Sequence, residues 1–291
     1  MEEKSLELIK KEMVHEQRVL KVKKFFRNRS MVIGALVMIL LVLTAVFAER
    51  IAPCDPYELD ILNKNKAPGV GHIFGTDTFG RDLFSRIIYG TRISVIVGAS
   101  VAGLTLVLGL ILGLYAGYYR KVDTVVMRIC DGLKAIPSML LAIALVAVMG
   151  AGIKNIILSL TVVYIPDIAR VARAVTLQVK QQTYVEALTA SGATKTRIIW
   201  KNILPNVISS VLVQVSFIFA TAVITEASLS FLGVGIPVPE PSWGNIISEG
   251  KTVIYKDWWM IVFPGLFTAV SVLGLNLFGD GLRDFLDPLT N

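Results

Sequence analysis

Long apolar runs alternate with short polar ones along this chain. Residues 31–48 form the first run. Others cover about 93–118, 122–149, 156 to the Arg170–Lys180 region, 206–232 and 258–279. Several are long enough to cross a hydrocarbon core of ~30 Å at ~1.5 Å per helical residue. The pattern therefore predicts six membrane-spanning helices. Between the fourth and fifth lies a polar stretch, residues 183–206, with a helical pattern of its own. Thr183 and Glu186 have capping-box spacing, which predicts a helix start. Ala187, Ala190 and Ser191 then share a helix face with almost no bulk. Gly192 is placed to end the helix in a left-handed conformation. A second short helix from Thr194 would carry Ile198, Ile199 and Ile203 towards Pro205. The expectation is a helix–turn–helix outside the spans, with a small-residue face that another protein can approach closely.

The polar positions also predict an orientation. Uncompensated Lys and Arg sit beside the first span's start, after the second span (Arg120, Lys121) and after the fourth (Arg170, Arg173, Lys180). Cationic flanks mark the cytoplasmic side. Both termini and the 183–206 stretch are therefore expected in the cytoplasm. The chain divides into a basic amphipathic arm (1–30), a first span (31–48), an extracytoplasmic segment (49–92), a five-span core (93–282) with the outer loop 233–257, and a cytoplasmic tail (283–291). Trp258 and Trp259 stand where an aromatic belt belongs. Within the arm, residues 14–26 interleave Val and Phe with Arg and Lys, which suits a helix on the membrane surface or a solvated one.

Composition agrees. A hydrophobic share of 54% and a mean hydropathy of +0.65 are too apolar for an ordinary soluble domain. The formal charge of +7 is no nucleic-acid footprint, because the basic residues cluster at span ends. Cys54 and Cys130 lie in different regions and form no disulfide framework or metal spacing. The stretch before residue 31 is too long for a signal-peptide n-region, so the first span is read as retained.

Candidate chemistry is sparse. No phosphate-binding loop is present: Gly192 to Thr196 lacks the first glycine and the spacing. His15 and His72 have no locatable catalytic partners. Arg128 with Asp131, and Asp167 with Arg170, stand at i, i+3 and read as local ion pairs. Glu226 lies in the fifth span with no basic neighbour in sequence. Such a carboxylate faces the bundle interior or a water-filled cavity, as hydrogen-bonded structure or as part of a gate or substrate path. Gln214 and Asn276 carry the same two readings. Gly109, Gly113 and Gly117 repeat every fourth position, which makes a groove for another helix or reflects the glycine content of membrane helices.

At this point the 183–206 stretch resembles the EAA loop of bacterial ABC importer permeases, through Glu186, Ala187, Gly192, Ile203, Leu204 and Pro205. The rest of the chain is similar to the C-type permease of dipeptide, oligopeptide and nickel importers. The matching motifs are residues 72–77, 80–82 and 85–90; Asp123, Met127, Arg128 and Asp131; Pro137 and Ser138; Glu226 and 229–233; 241–244; and 276–284 with Asp287 and Pro288. Leu188 departs from the pattern, where a second alanine is usual, and is expected to add bulk beside the small face.

The resemblance implies an all-α integral membrane protein with the type I ABC importer permease fold and a cytoplasmic coupling helix. It implies no catalysis and no cofactor on this chain; ATP and Mg belong to two partner ATP-binding subunits. The other implied partners are a second, B-type permease, an extracytoplasmic substrate-binding protein and the lipid bilayer, in a prokaryotic plasma membrane. Glu186, Ala187 and Gly192 would dock an ATPase, and Ala190 and Ser191 would let the helix enter its cleft. Di- or oligopeptide import leads; nickel or a metal chelate is the alternative within the class. An ATP-independent ion-coupled carrier and a membrane scaffold are the readings from other classes. The carrier lacks a chain of buried carboxylates and histidines, and the scaffold leaves the cytoplasmic helix pair unexplained.

Overall fold

The computed structural model describes residues 23–286. Most of the amphipathic arm, with Asp287 and Pro288, lies outside them. Among the described residues, five helices are long and apolar enough to span a membrane: α1 (Arg29–Val46), α2 (Leu83–Tyr118), α5 (Ile153–Lys180), α7 (Leu204–Phe231) and α9 (Trp259–Leu286).

The third apolar run is not one helix. It is α3 (Arg120–Lys134) and α4 (Ser138–Met149), meeting at 93°. Pro137 causes the break. It has no N–H to donate and disfavours helical backbone at the residue before it. α4 alone is ~18 Å long, shorter than the hydrocarbon core. The expected third span over 122–149 is therefore bent and not straight; counted as one broken span, the pair is the sixth.

α2 also starts ten residues before the expected Ile93. The Asp82 carboxylate accepts from the Ser85 amide and hydroxyl, both at 2.8 Å, and caps the helix there. At 36 residues α2 is ~54 Å long and rises well past the membrane. The connection after α7 holds a short helix, α8 (Trp243–Gly250), capped by Ser242. Trp243 is buried, and its indole N–H donates to the carbonyl of Ile87 in α2. Trp258 is half-exposed, as a belt residue would be. Trp259 instead is buried and donates to the carbonyl of Thr76, so it fixes the loop before α2.

Glycine sets how the long helices meet. α2 and α5 run parallel, with Gly109 against Ile168, Gly113 against Ala169 and Ala172, and Gly117 against Thr176. A Cβ on Gly113 would stand 2.5 Å from that of Ala172. The backbones therefore touch where a side chain would separate them. α1 and α9 meet in the same way through Gly34, Gly274 and Gly281.

Candidate functional site

The polar stretch between α5 and α7 forms α6 (Thr183–Ala190). Its N-cap is Gln182, not Thr183, and no side chain caps it. The expected capping box is absent because Gln182 already holds the extended backbone that ends the preceding turn. Thr183 thus becomes the first helical residue, one place too late to cap. Glu186 stays exposed in the first turn, where the helix dipole favours a carboxylate.

The other end closes as expected. Gly192 has φ of +77°. Its N–H bonds the carbonyl of Thr189 at 3.1 Å, and that of Ala193 bonds the carbonyl of Leu188 at 3.0 Å. These are the two bonds of a Schellman motif. Leu188 and Ala193 supply the apolar contact that accompanies it, both packed against the main core with the buried Val185. Leu188 therefore faces inward and adds no bulk to the small face. Glu186, Ala187, Ala190 and Ser191 face out, all exposed.

No separate second helix follows. Lys195–Arg197 runs through a π-helical segment, Ile198–Ile203, straight into α7. Pro205 lies in the first turn of α7 and does not end a helix. A proline there has no N–H for the carbonyl four residues back, and its ring crowds that carbonyl. The wider π turn relieves both, with the Leu204 N–H bonding the carbonyl of Ile199. Ile198, Ile199 and Ile203 are buried in the main core, Leu204 is partly buried and Pro205 is exposed. Side chains also bond two carbonyls of this junction. Asn202 Nδ2 donates to the carbonyl of Arg197 at 3.3 Å. The Asn202 carbonyl accepts from Asn206 Nδ2 at 2.8 Å and from the Tyr184 hydroxyl at 3.4 Å. Asn206 Nδ2 also reaches that hydroxyl at 3.3 Å. Tyr184 belongs to α6, so it links the exposed helix to the root of α7. Its role was not visible in sequence.

The expected local ion pairs are not local. Asp131 of α3 accepts from Arg170 of α5 at 2.8 Å, and Lys134 donates to Asp167 at 2.7 Å. Asp123 is held by two nitrogens of Arg173. Three rungs thus join α3 to α5. Neighbours at i, i+3 were the only partners that sequence proximity could offer.

The polar span residues do not converge. Glu226 is wholly buried at the α8 end of α7, with Ser230 Oγ at 2.9 Å and Ser94 Oγ at 3.3 Å. Ser230 Oγ also accepts from the Ile236 amide at 3.1 Å. The carboxylate therefore ties α7 to α2, and through Ser230 to the turn that leads to α8. Gln214 is half-buried, ~18 Å further along α7. Asn276 lines a cleft of about 550 Å³ between α7 and α9, together with Ser228 and Thr268.

A buried charge network at the α8 end was also missed. Asp77, Arg81 and Arg86 meet Glu249 of α8. The first three stand in resembling motifs, but nothing in sequence links them to Glu249.

The family described as binding-protein-dependent transport system inner membrane component matches residues 106–291. The N-terminal transmembrane domain of oligopeptide transport permease C matches residues 18–68. A Brucella abortus protein named, provisionally, as a peptide transport system permease is 43% identical over 270 residues, covering 93% of this chain and 91% of that protein. A dipeptide transport system permease of Alkalihalophilus pseudofirmus is 38% identical, covering 91% and 88%. The oligopeptide transport system permease of Bacillus subtilis is 39% identical, covering 91% and 87%. In fold, the chain is similar to the inward-facing methionine ABC transporter MetNI. The TM-score is 0.58 at 19% identity, over 69% of this chain and 96% of that one. On these matches the chain belongs to the inner-membrane permease components of binding-protein-dependent ABC import systems.

Proposed function

We propose that this chain is the C-type permease of an ATP-driven importer of di- and oligopeptides. It pairs with a B-type permease to enclose the path. Each permease docks one of two ATP-binding subunits, which hold ATP and Mg, and an extracytoplasmic binding protein delivers the substrate. The α6 end lies in the cytoplasm, with both termini, in a prokaryotic plasma membrane. The peptide substrate is carried over from the names of the relatives.

One observation carries the coupling role: α6 exposes Glu186, Ala187, Ala190 and Ser191 while its other face is locked into the core. A slim helix with an anchored back enters a cleft on a partner and moves as a unit with α7. Ile203 and Leu204 serve from behind, as the anchor. Glu186→Lys and Gly192→Pro test this. Both variants are expected in the membrane at normal abundance, with ATPase co-purification and peptide uptake lost. Normal uptake by either, with wild-type partners, removes the docking assignment. Gln214 and Asn276 are path candidates. Glu226 acts as a latch at the outer end, and Glu226→Gln is expected to alter uptake more than insertion.

A further inference from the structure

By the length of α5 and its packing on α2, the ladder between α3 and α5 stands within the apolar length of the span. The fourth span therefore runs past Arg170 and Arg173, and its cytoplasmic flank begins nearer Lys180 than the cationic residues suggested. Arg170 is ten residues, ~15 Å, from the end of α5 at Lys180. Lys180 itself donates to the carbonyl of Tyr118, the last residue of α2. The neighbouring Ala169 and Ala172 pack on Gly113, within the apolar body of α2. At that level the side chains of Asp131 and Arg170 are 58% and 45% exposed. The other two rungs are more covered, at 22% to 33%. Charges exposed within a membrane face water or a polar partner, because lipid solvates them poorly.

The rest of α3 agrees. Val125 and Ile129 are its exposed apolar residues, about 120° and 160° round the helix from Asp131. The helix thus presents an apolar face for lipid or protein and, well apart from it, a polar one. Arg128 lies exposed beside that polar face.

We infer that the α3–α5 ladder lines the aqueous passage, and that the Asp131–Arg170 rung is the surface over which the charged ends of a zwitterionic peptide move. The substrate part rests on the peptide-importer reading above. In water a half-exposed ion pair is weak and readily exchanged. A peptide ammonium can replace Arg170 at Asp131, and a peptide carboxylate can replace Asp131 at Arg170. Opposite charges set side by side pass both ends without holding either tightly.

The test uses the assembled importer in vesicles, with Cys54→Ser and Cys130→Ala as background. Asp131→Cys and Arg170→Cys are expected to react with a membrane-impermeant thiol reagent at least tenfold faster than Val125→Cys and Ile129→Cys. Slow labelling at both positions, with and without ATP, overturns the assignment. Uptake is the second arm. Arg170→Gln is expected to slow import of a zwitterionic dipeptide at least fivefold, with assembly unchanged. The double reversal Asp131→Arg with Arg170→Asp keeps a tether and inverts the charges. Its uptake is expected to stay low, and full recovery would make the rung a tether only. If the complex imports no peptide but the two positions label quickly, the substrate reading fails while the passage assignment stands.

Discussion

Arg86 of α2 holds Glu249 of α8 with both terminal nitrogens, Nη1 to Oε2 at 2.6 Å and Nη2 to Oε1 at 3.1 Å. The pair spans 163 residues of sequence. Arg86 is fully buried, and its Nη1 also reaches Asp77 Oδ2 at 2.6 Å. Arg81 completes the set, bonding the same Asp77 oxygen at 2.6 Å and Glu249 at 2.8 Å. Two cations and two carboxylates balance, so mutual bonding offsets most of the cost of burying them, although Arg86 Nε is buried without a hydrogen-bond partner. The network fixes the loop before α2 and the helix α8 to one another.

Removing one member should therefore cost more than the pair contributes. Glu249→Gln leaves two buried guanidinium groups facing one carboxylate. Breaking a buried pair in this way costs about 3–5 kcal/mol. Thermal unfolding of the purified complex should show a marked fall in midpoint. Protease cleavage within residues 52–82 should also become faster. An unchanged midpoint would mean that the loop is held elsewhere.

The glycine seam gives a sharper stability test. Gly113→Ala puts a methyl group 2.5 Å from Ala172 and 2.6 Å from the carbonyl of Ala169. Overpacking of this kind costs about 1–3 kcal/mol. Gly103 lies on the same helix with nothing within 4 Å of an added Cβ. Gly103→Ala is the control, neutral or slightly stabilising, since alanine favours helix over glycine by up to about 1 kcal/mol. The unfolding midpoint should fall in Gly113→Ala and hold or rise in Gly103→Ala.

This seam was legible because its information is local: three glycines at one spacing define one face whatever that face meets. The spans were legible for the same reason, as was the end of α6, where Gly192 needs a left-handed φ. What failed needed tertiary knowledge. Asp131 and Asp167 find cations on a neighbouring helix, not three residues away. Pro137 breaks a helix inside an unbroken apolar run, while Pro205 is passed through by a π turn. Sequence gives the same residue in both cases, and only the surrounding backbone decides. Glu226 was placed correctly in the bundle interior, but its partners Ser94 and Ser230 depend on the packing of α2 against α7.

A pH-dependent contact joins the segment before α2 to the one before α8. The Tyr57 hydroxyl donates to Glu240 Oε2 at 3.0 Å. Burial first, and then the bond to Glu240, pushes the phenol up to about 12 from its ordinary 10. The protonated form is favoured in the folded chain, so the stabilisation is complete below pH 10 and is lost as pH rises through about 12. Tyr57 is half-exposed, so the energy involved is small. Tyrosinate absorbance, taken as the difference between wild type and Tyr57→Phe, should show a midpoint near 12. In Glu240→Gln that midpoint should move back towards 10. No movement would assign the shift to burial alone.

The π segment offers the most direct test of whether α6 drives α7. A π turn carries one residue more than the α register needs. Deleting Lys201, which is exposed, removes that residue without cutting the buried Ile198, Ile199 and Ile203 from the chain. It must either close the segment to an α turn or rotate what precedes it by about 100° relative to α7. Either way the bonds from Tyr184 to Asn202 and Asn206 cannot all survive. If α6 transmits force through this junction, the deletion leaves insertion and ATPase binding largely intact while ATP hydrolysis no longer yields uptake. Tyr184→Phe is the milder version. It removes weak, exposed bonds worth about 0.5–1.5 kcal/mol each, and is expected to lower the uptake per ATP a few-fold without affecting assembly. Normal uptake in the deletion variant would show that the junction tolerates either register, and the lever would then have to lie in the buried isoleucines alone.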